Sequence, residues 1–198
     1  MRKDYDKKKK RMVYIAAFII VAVMVLSSFG MILEQSSNSD AKRRYNGYSF
    51  VRTENGWLTT VNKKQIEFYH APDELDAINI SQSVRDALSG KIQIGLTSDE
   101  GDHLNRTIAL MEYIYTETLK EASNKYATTG FIGNNTYGKP VFSCEQATDN
   151  APVIYFMKSK EPSIKAEGNC VIVTAETDYE MVVMSERLLY YMIGIMKE

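Results

Sequence analysis

From Met12 to Leu33 the chain reads MVYIAAFIIVAVMVLSSFGMIL, 22 residues without a charge or a proline. As a helix rising 1.5 Å per residue it would span about 33 Å, enough to cross a hydrocarbon core of roughly 30 Å. Ser27, Ser28 and Gly30 are its only small or polar breaks. Serine hydroxyls bond back to the carbonyls of the preceding turn, so they cost little in lipid. Tyr14 lies near one end, where an amphipathic ring favours the headgroup layer. A transmembrane helix over 12–33 is therefore expected. A cleavable signal peptide is the rival reading, but its apolar core would be about 7–15 residues long and end at a small-x-small site. The longer run, with no clear site of that kind after it, favours a retained anchor.

Residues 34–46 are small and polar and read as a juxtamembrane linker. From Gly47 to residue 198 the alternation of apolar and polar positions predicts one folded domain. Tyr48–Thr53, Trp57–Val61 and Gln65–His70 read as strands of an antiparallel meander, with Glu54-Asn55-Gly56 as a tight turn. A short helix is expected over Ser81–Leu88, ended by Gly90. Lys91–Thr97 reads as a strand. The long helix that follows runs to about Ser123, with Leu104, Ile108, Met111, Tyr115, Leu119 and Ala122 recurring at three and four. Further strands are expected at Tyr126–Ile132, Pro140–Cys144, Val153–Lys158 and Cys170–Ala175, with a hairpin extension around Ile164. Thr177-Asp178-Tyr179-Glu180 is a capping box that opens the last helix. The fold class is thus α/β of the α+β type: a mixed, largely antiparallel sheet with helices packed on it, behind a transmembrane helix.

The net charge of −1 conceals a division. Residues 1–44 hold ten basic and four acidic side chains, a net +6, while residues 45–198 hold 14 basic and 21 acidic, a net −7. Seven Lys/Arg precede the apolar run and three follow it closely. The denser cluster stays cytoplasmic by the positive-inside rule. Residues 1–11 are then a cytoplasmic tail and the domain lies outside, in the cell membrane's extracytoplasmic space. An acidic domain argues against nucleic acid as a partner.

Candidate chemistry is sparse. Cys144 and Cys170 sit in strand-like contexts. Outside the cytoplasm they suit a disulfide; the alternative is two buried thiols on neighbouring strands. Neither Cys has a recognisable base at a spacing that marks a nucleophile. His70 reads as a strand-end residue and His103 as part of a first helical turn, rather than as metal ligands. Asp99, Glu100 and Asp102 read as helix-start charge, since their spacing departs from the calcium-loop rule. Gly130, Gly133 and Gly138 read as a turn-rich loop, because Lys139-Pro140 breaks the phosphate-loop pattern. No catalytic residue, metal site or cofactor is expected. Asn79, Asn105 and Asn134 each begin an N-x-Ser/Thr sequon, with Asn134 in the most loop-like setting; the other two also suit helix starts.

The terminal helix is apolar nearly all round. Met181, Met184, Met192 and Met196, with Tyr190 and Tyr191, form either a doubly covered core element or an adaptable interface.

The order of a Lys-rich start, one apolar span, then GWLTTV…IEFYHAPDEL…IQIGLTSDE and PVFSCEQAT…APVIYF…GNCVIV…LLYYMIGIM resembles uncharacterised single-pass membrane proteins of archaea. The resemblance implies a membrane anchor and a small extracytoplasmic α/β domain, and carries no activity. The chain is expected to be a membrane-anchored binding or assembly protein, an accessory or scaffold subunit of a cell-envelope complex. Its partners are then the lipid bilayer and another protein or a second copy of itself. The alternatives are an envelope hydrolase drawing on acids such as Glu145 and Asp149, or a small-ligand sensor.

Overall fold

The computed structural model describes residues 41–197. The expected transmembrane span over 12–33 lies outside them, and among the described residues no helix is long and apolar enough to cross a membrane. The chain divides into two units at Lys42–Arg43, and the second carries the fold.

A four-stranded meander comes first: β1 (Lys42–Tyr45), β2 (Tyr48–Arg52), β3 (Trp57–Val61) and β4 (Lys64–Phe68), in that spatial order. β1 lies in the segment expected as linker. Asn46 and Gly47 both take positive φ in the two-residue link to β2, as do Asn62 and Lys63 between β3 and β4. This is the backbone hand that matches the twist of paired strands. The β2–β3 turn at Glu54-Asn55-Gly56 differs from these two in taking no positive φ. Gly56 is needed there because its backbone lies against β4: a Cβ would stand 2.0 Å from the Phe68 carbonyl oxygen.

After a 3-10 turn (Pro72–Leu75) and α1 (Gln82–Leu88, capped by Ser81) comes a second, five-stranded sheet. It comprises β5 (Gln93–Ser98), β6 (Tyr126–Phe131), β7 (Val153–Lys158), β8 (Ser163–Glu167) and β9 (Cys170–Ala175), in the order β6-β5-β7-β9-β8. β6, β5, β7 and β9 run parallel and only β8 is antiparallel. The domain is mixed α/β, as expected. In place of one largely antiparallel sheet, however, it has an antiparallel meander and a mostly parallel second sheet. The long helix α2 (Asn105–Ser123) is the physical reason: a crossover of that length returns the chain parallel to β5.

The register assigns each residue to a face. Ile94, Leu96, Ile154, Phe156, Val171 and Val173 are buried beneath α2 and the terminal helix α3 (Asp178–Met192). Tyr115 meets Phe156 edge-on at 5.5 Å between ring centroids. α3 also joins the two sheets, since Tyr190 stacks on Phe68 at 4.2 Å and meets Phe50 edge-on at 6.0 Å. On the opposite face of the second sheet the connection between β6 and β7 lies over part of β5 and β6. The Phe142 ring lies over Gly95 and Gly130, where added Cβ atoms would stand 2.8 and 2.4 Å from it. Cys144 and Cys170 form a disulfide, which ties that connection to the start of β9. The expected strand over Pro140–Cys144 is reduced to one parallel bridge, Phe131 to Val141, and a 3-10 turn at Cys144–Gln146. Pro140 has no N–H for a ladder.

Candidate functional site

Two polar clusters stand out. The first is closed. Glu186, in the middle of α3, has a 2% exposed side chain. It accepts hydrogen bonds from the Tyr69 N–H (2.6 Å), the His70 N–H (3.0 Å) and His70 Nδ1 (2.7 Å). Tyr190 OH donates to the His70 carbonyl at 2.7 Å, and Arg187 Nε donates to the Ile78 carbonyl at 2.8 Å. The hydrogen bond to Glu186 raises the His70 pKa against the opposing effect of burial. A carboxylate that accepts two backbone N–H groups and an imidazole is fully engaged. This cluster fastens the end of β4 to α3.

The second cluster is open. α2 rises beside the edge strand β6, and between them lies a cavity of about 610 Å³ at the carboxyl ends of β5 and β6. Ala109 and Thr116 on α2 are small and leave room, while Phe131, Tyr113 and Tyr137 supply aromatic walls. Phe131 and Tyr137 stack at 5.8 Å. Glu112 lines the cavity although the residue is only 7% exposed. Its Oε1 accepts from Ser98 Oγ at 3.1 Å, and Oε2 receives no hydrogen bond from a described residue. Burial pushes the Glu112 carboxyl up to about 7, while the Ser98 hydroxyl and the nearby Lys139 pull the other way. Lys139 Nζ donates to Thr129 Oγ1 at 2.9 Å. Glu100 is occupied at the rim by the Thr136 N–H (3.0 Å) and hydroxyl. Such a cavity presents a carboxyl poised between donating and accepting, set among stacking surfaces. A smaller cavity of about 390 Å³ lies on the other face of β6, bounded by Tyr126, Thr128, Pro140 and Phe142.

The expected site residues are dispersed. Met181, Tyr190, Met192 and Met196 are buried within the domain, while Met184 and Tyr191 are half-buried against its core. Asn79 and Asn134 are exposed; Asn105 is the first residue of α2 and stands at the mouth of the larger cavity. Glu145 and Asp149 are exposed and outside both cavities, and Asp149 pairs with Lys91. His103 is exposed. Asp99 and Asp102 act as local acceptors: Asp99 for the Gly101 N–H, Asp102 for those of Leu104 and Lys158. Among the described residues no group of His, Cys, Asp and Glu could hold a metal ion. Glu112 is not among the site residues expected from the sequence. Its signal is an acid inside the apolar stripe, four residues after Ile108 and three before Tyr115. Comparison with known protein families, with curated proteins and with solved structures finds no match for this chain.

Proposed function

We propose that this chain is a single-pass membrane protein that displays its α/β domain outside the cytoplasm and serves there as a binding or assembly subunit of an envelope complex. The uncharged 22-residue segment and the basic residues before it support the anchor and its orientation. The Cys144–Cys170 disulfide fits an oxidising compartment. The observation that carries the binding reading is the open cavity between α2 and β6, with a buried carboxyl and aromatic walls. A photo-crosslinking residue at Tyr113, irradiated in native membranes, tests it. The expected result is a light-dependent adduct that is lost when the cavity is filled by Ala109→Trp. Absence of any adduct would remove the reading. A small-ligand sensor is the second reading, favoured by the size of the cavity; an adduct of low mass would select it. Protease added to spheroplasts should digest residues 45–198, and protection would overturn the orientation.

A further inference from the structure

The outer edge of β6 is open beside both cavities. Parallel pairing with β5 turns alternate residues inward: the Tyr126 N–H donates to the Ile92 carbonyl at 2.7 Å, and the Ile132 N–H to the Ser98 carbonyl at 3.0 Å. Ala127, Thr129 and Phe131 therefore aim their N–H and C=O groups outward. Phe131 is already engaged. Its N–H donates to the Pro140 carbonyl at 3.0 Å, and its carbonyl accepts from the Phe142 N–H at 2.9 Å, so the chain adds a single parallel bridge of its own there. The backbone groups of Ala127 and Thr129 continue the same row and have no hydrogen-bond partner among the described residues.

Such an edge is a template for another strand. Side chains on an added strand alternate between faces, and each face of β6 has a cavity to receive them. On the α2 side the floor of the cavity holds Glu112, whose Oε2 has no donor among the described residues. On the other face the cavity has the Phe142 ring and Pro140 as walls. Residues 45–198 carry a net −7, a field that attracts cations. An acidic side chain entering the larger cavity would oppose Glu112, whereas a cation would pair with it. Lys139, the nearby base, is already directed to Thr129 Oγ1.

We propose that β6 captures an extended segment of a partner protein by strand addition at Ala127 and Thr129, with a lysine or arginine of that segment reaching Glu112 and apolar neighbours packing on Phe142. This rests on the cavity being a binding site, and identifies its ligand as a peptide. Main-chain bonds supply the affinity in this mode, and the alternating pockets the selectivity.

The test is selection of displayed random short peptides on the full chain in lipid nanodiscs. Enriched sequences should share one basic residue flanked by apolar or β-branched ones. Thr129→Pro removes an outward N–H and leaves the inward ladder to β5 intact. It and Glu112→Gln should each weaken the enriched peptides roughly tenfold or more. Should Thr129→Pro fail to fold, amide exchange in the native chain decides, since Ala127 and Thr129 should become protected by peptide. Selection without a basic residue, affinity indifferent to Glu112→Gln, or binding without protection at 127 and 129 would each overturn the proposal. A low-mass or lipid adduct in the Tyr113 crosslinking experiment, with no peptide selected, would overturn strand addition and leave the binding site standing. Absence of any adduct would remove both.

Discussion

Glu112→Gln should make the domain more stable at alkaline pH. Gln keeps the shape of the side chain and an oxygen to accept from Ser98 Oγ, and it removes the ionisation. In the folded chain burial holds the Glu112 carboxyl at about 7, against 4.5 in the open chain. The folded state thus binds the proton more tightly, so as pH rises between these values the unfolded state ionises first and stability falls. The loss is complete above pH 7 and amounts to about 3 kcal/mol, at 1.36 kcal/mol per pH unit. His70 also loses stabilisation as pH rises, so the wild-type curve alone mixes the two. The quantity to measure is the difference in unfolding free energy between wild type and Glu112→Gln, from urea titrations at pH 4, 5, 6, 7 and 8. That difference should be flat near pH 4, then move in favour of the variant by about 3 kcal/mol across the window. A difference that stays constant from pH 4 to pH 8 would show that Glu112 is well solvated, and the account of the cavity floor would fail.

The remaining expectations concern the frame around the site. Gly56→Ala should cost about 3 kcal/mol or more, because the new methyl meets the Phe68 carbonyl, which belongs to a paired strand and has little room to move; an unchanged urea midpoint would refute this. Replacing both Cys144 and Cys170 by Ser should cost about 3 kcal/mol through the loop the bond closes, read as a lower melting temperature than the oxidised parent's. The His70 ring, titrated by NMR, should show a pKa above its ordinary 6.5 that falls in Glu186→Gln. Its contribution to stability is present below pH 6.5 and is lost as pH rises through the raised value; a titration midpoint unaffected by the variant would break the link to Glu186.

The elements legible in the sequence were those with strong periodicity. The stripe of α2, the capping box of α3 and the alternation in β3 and β4 each answer to one local rule, and each is present. β1 was illegible because Lys-Arg-Arg-Tyr has no apolar alternation. Its inward side chains do their packing by charge and ring: the Arg43 guanidinium lies 4.4 Å over Trp57 and pairs with Asp73 and Glu74. The Asn46-Gly47 turn signal was present in the sequence but lay within the polar stretch read as linker. Ser185, Glu186 and Arg187 are among the few polar residues of the otherwise apolar last helix. All three are buried: partners distant in sequence, Tyr69, His70 and Ile78, meet Glu186 and Arg187, while the Ser185 hydroxyl donates to Met181 Sδ one turn earlier in the helix. The candidate site was less legible still. A cavity beside an edge strand depends on which strand is outermost, and strand order is set by long-range pairing that local patterns do not encode.

Phe142 has a consequence for descent. Its ring occupies the space that side chains at 95 and 130 would otherwise fill, so those three positions share one volume. At 95 a coordinated exchange is open, a smaller residue at 142 together with alanine or serine at 95, whereas at 130 an added Cβ would still stand 2.5 Å from the Pro140 carbonyl oxygen. In a lineage of such chains 95 and 142 should drift as a linked pair, although 95 lies on β5 and 142 on no strand, while 130 stays glycine. That linkage is a signature by which distant relatives of this chain could be recognised where overall identity has faded.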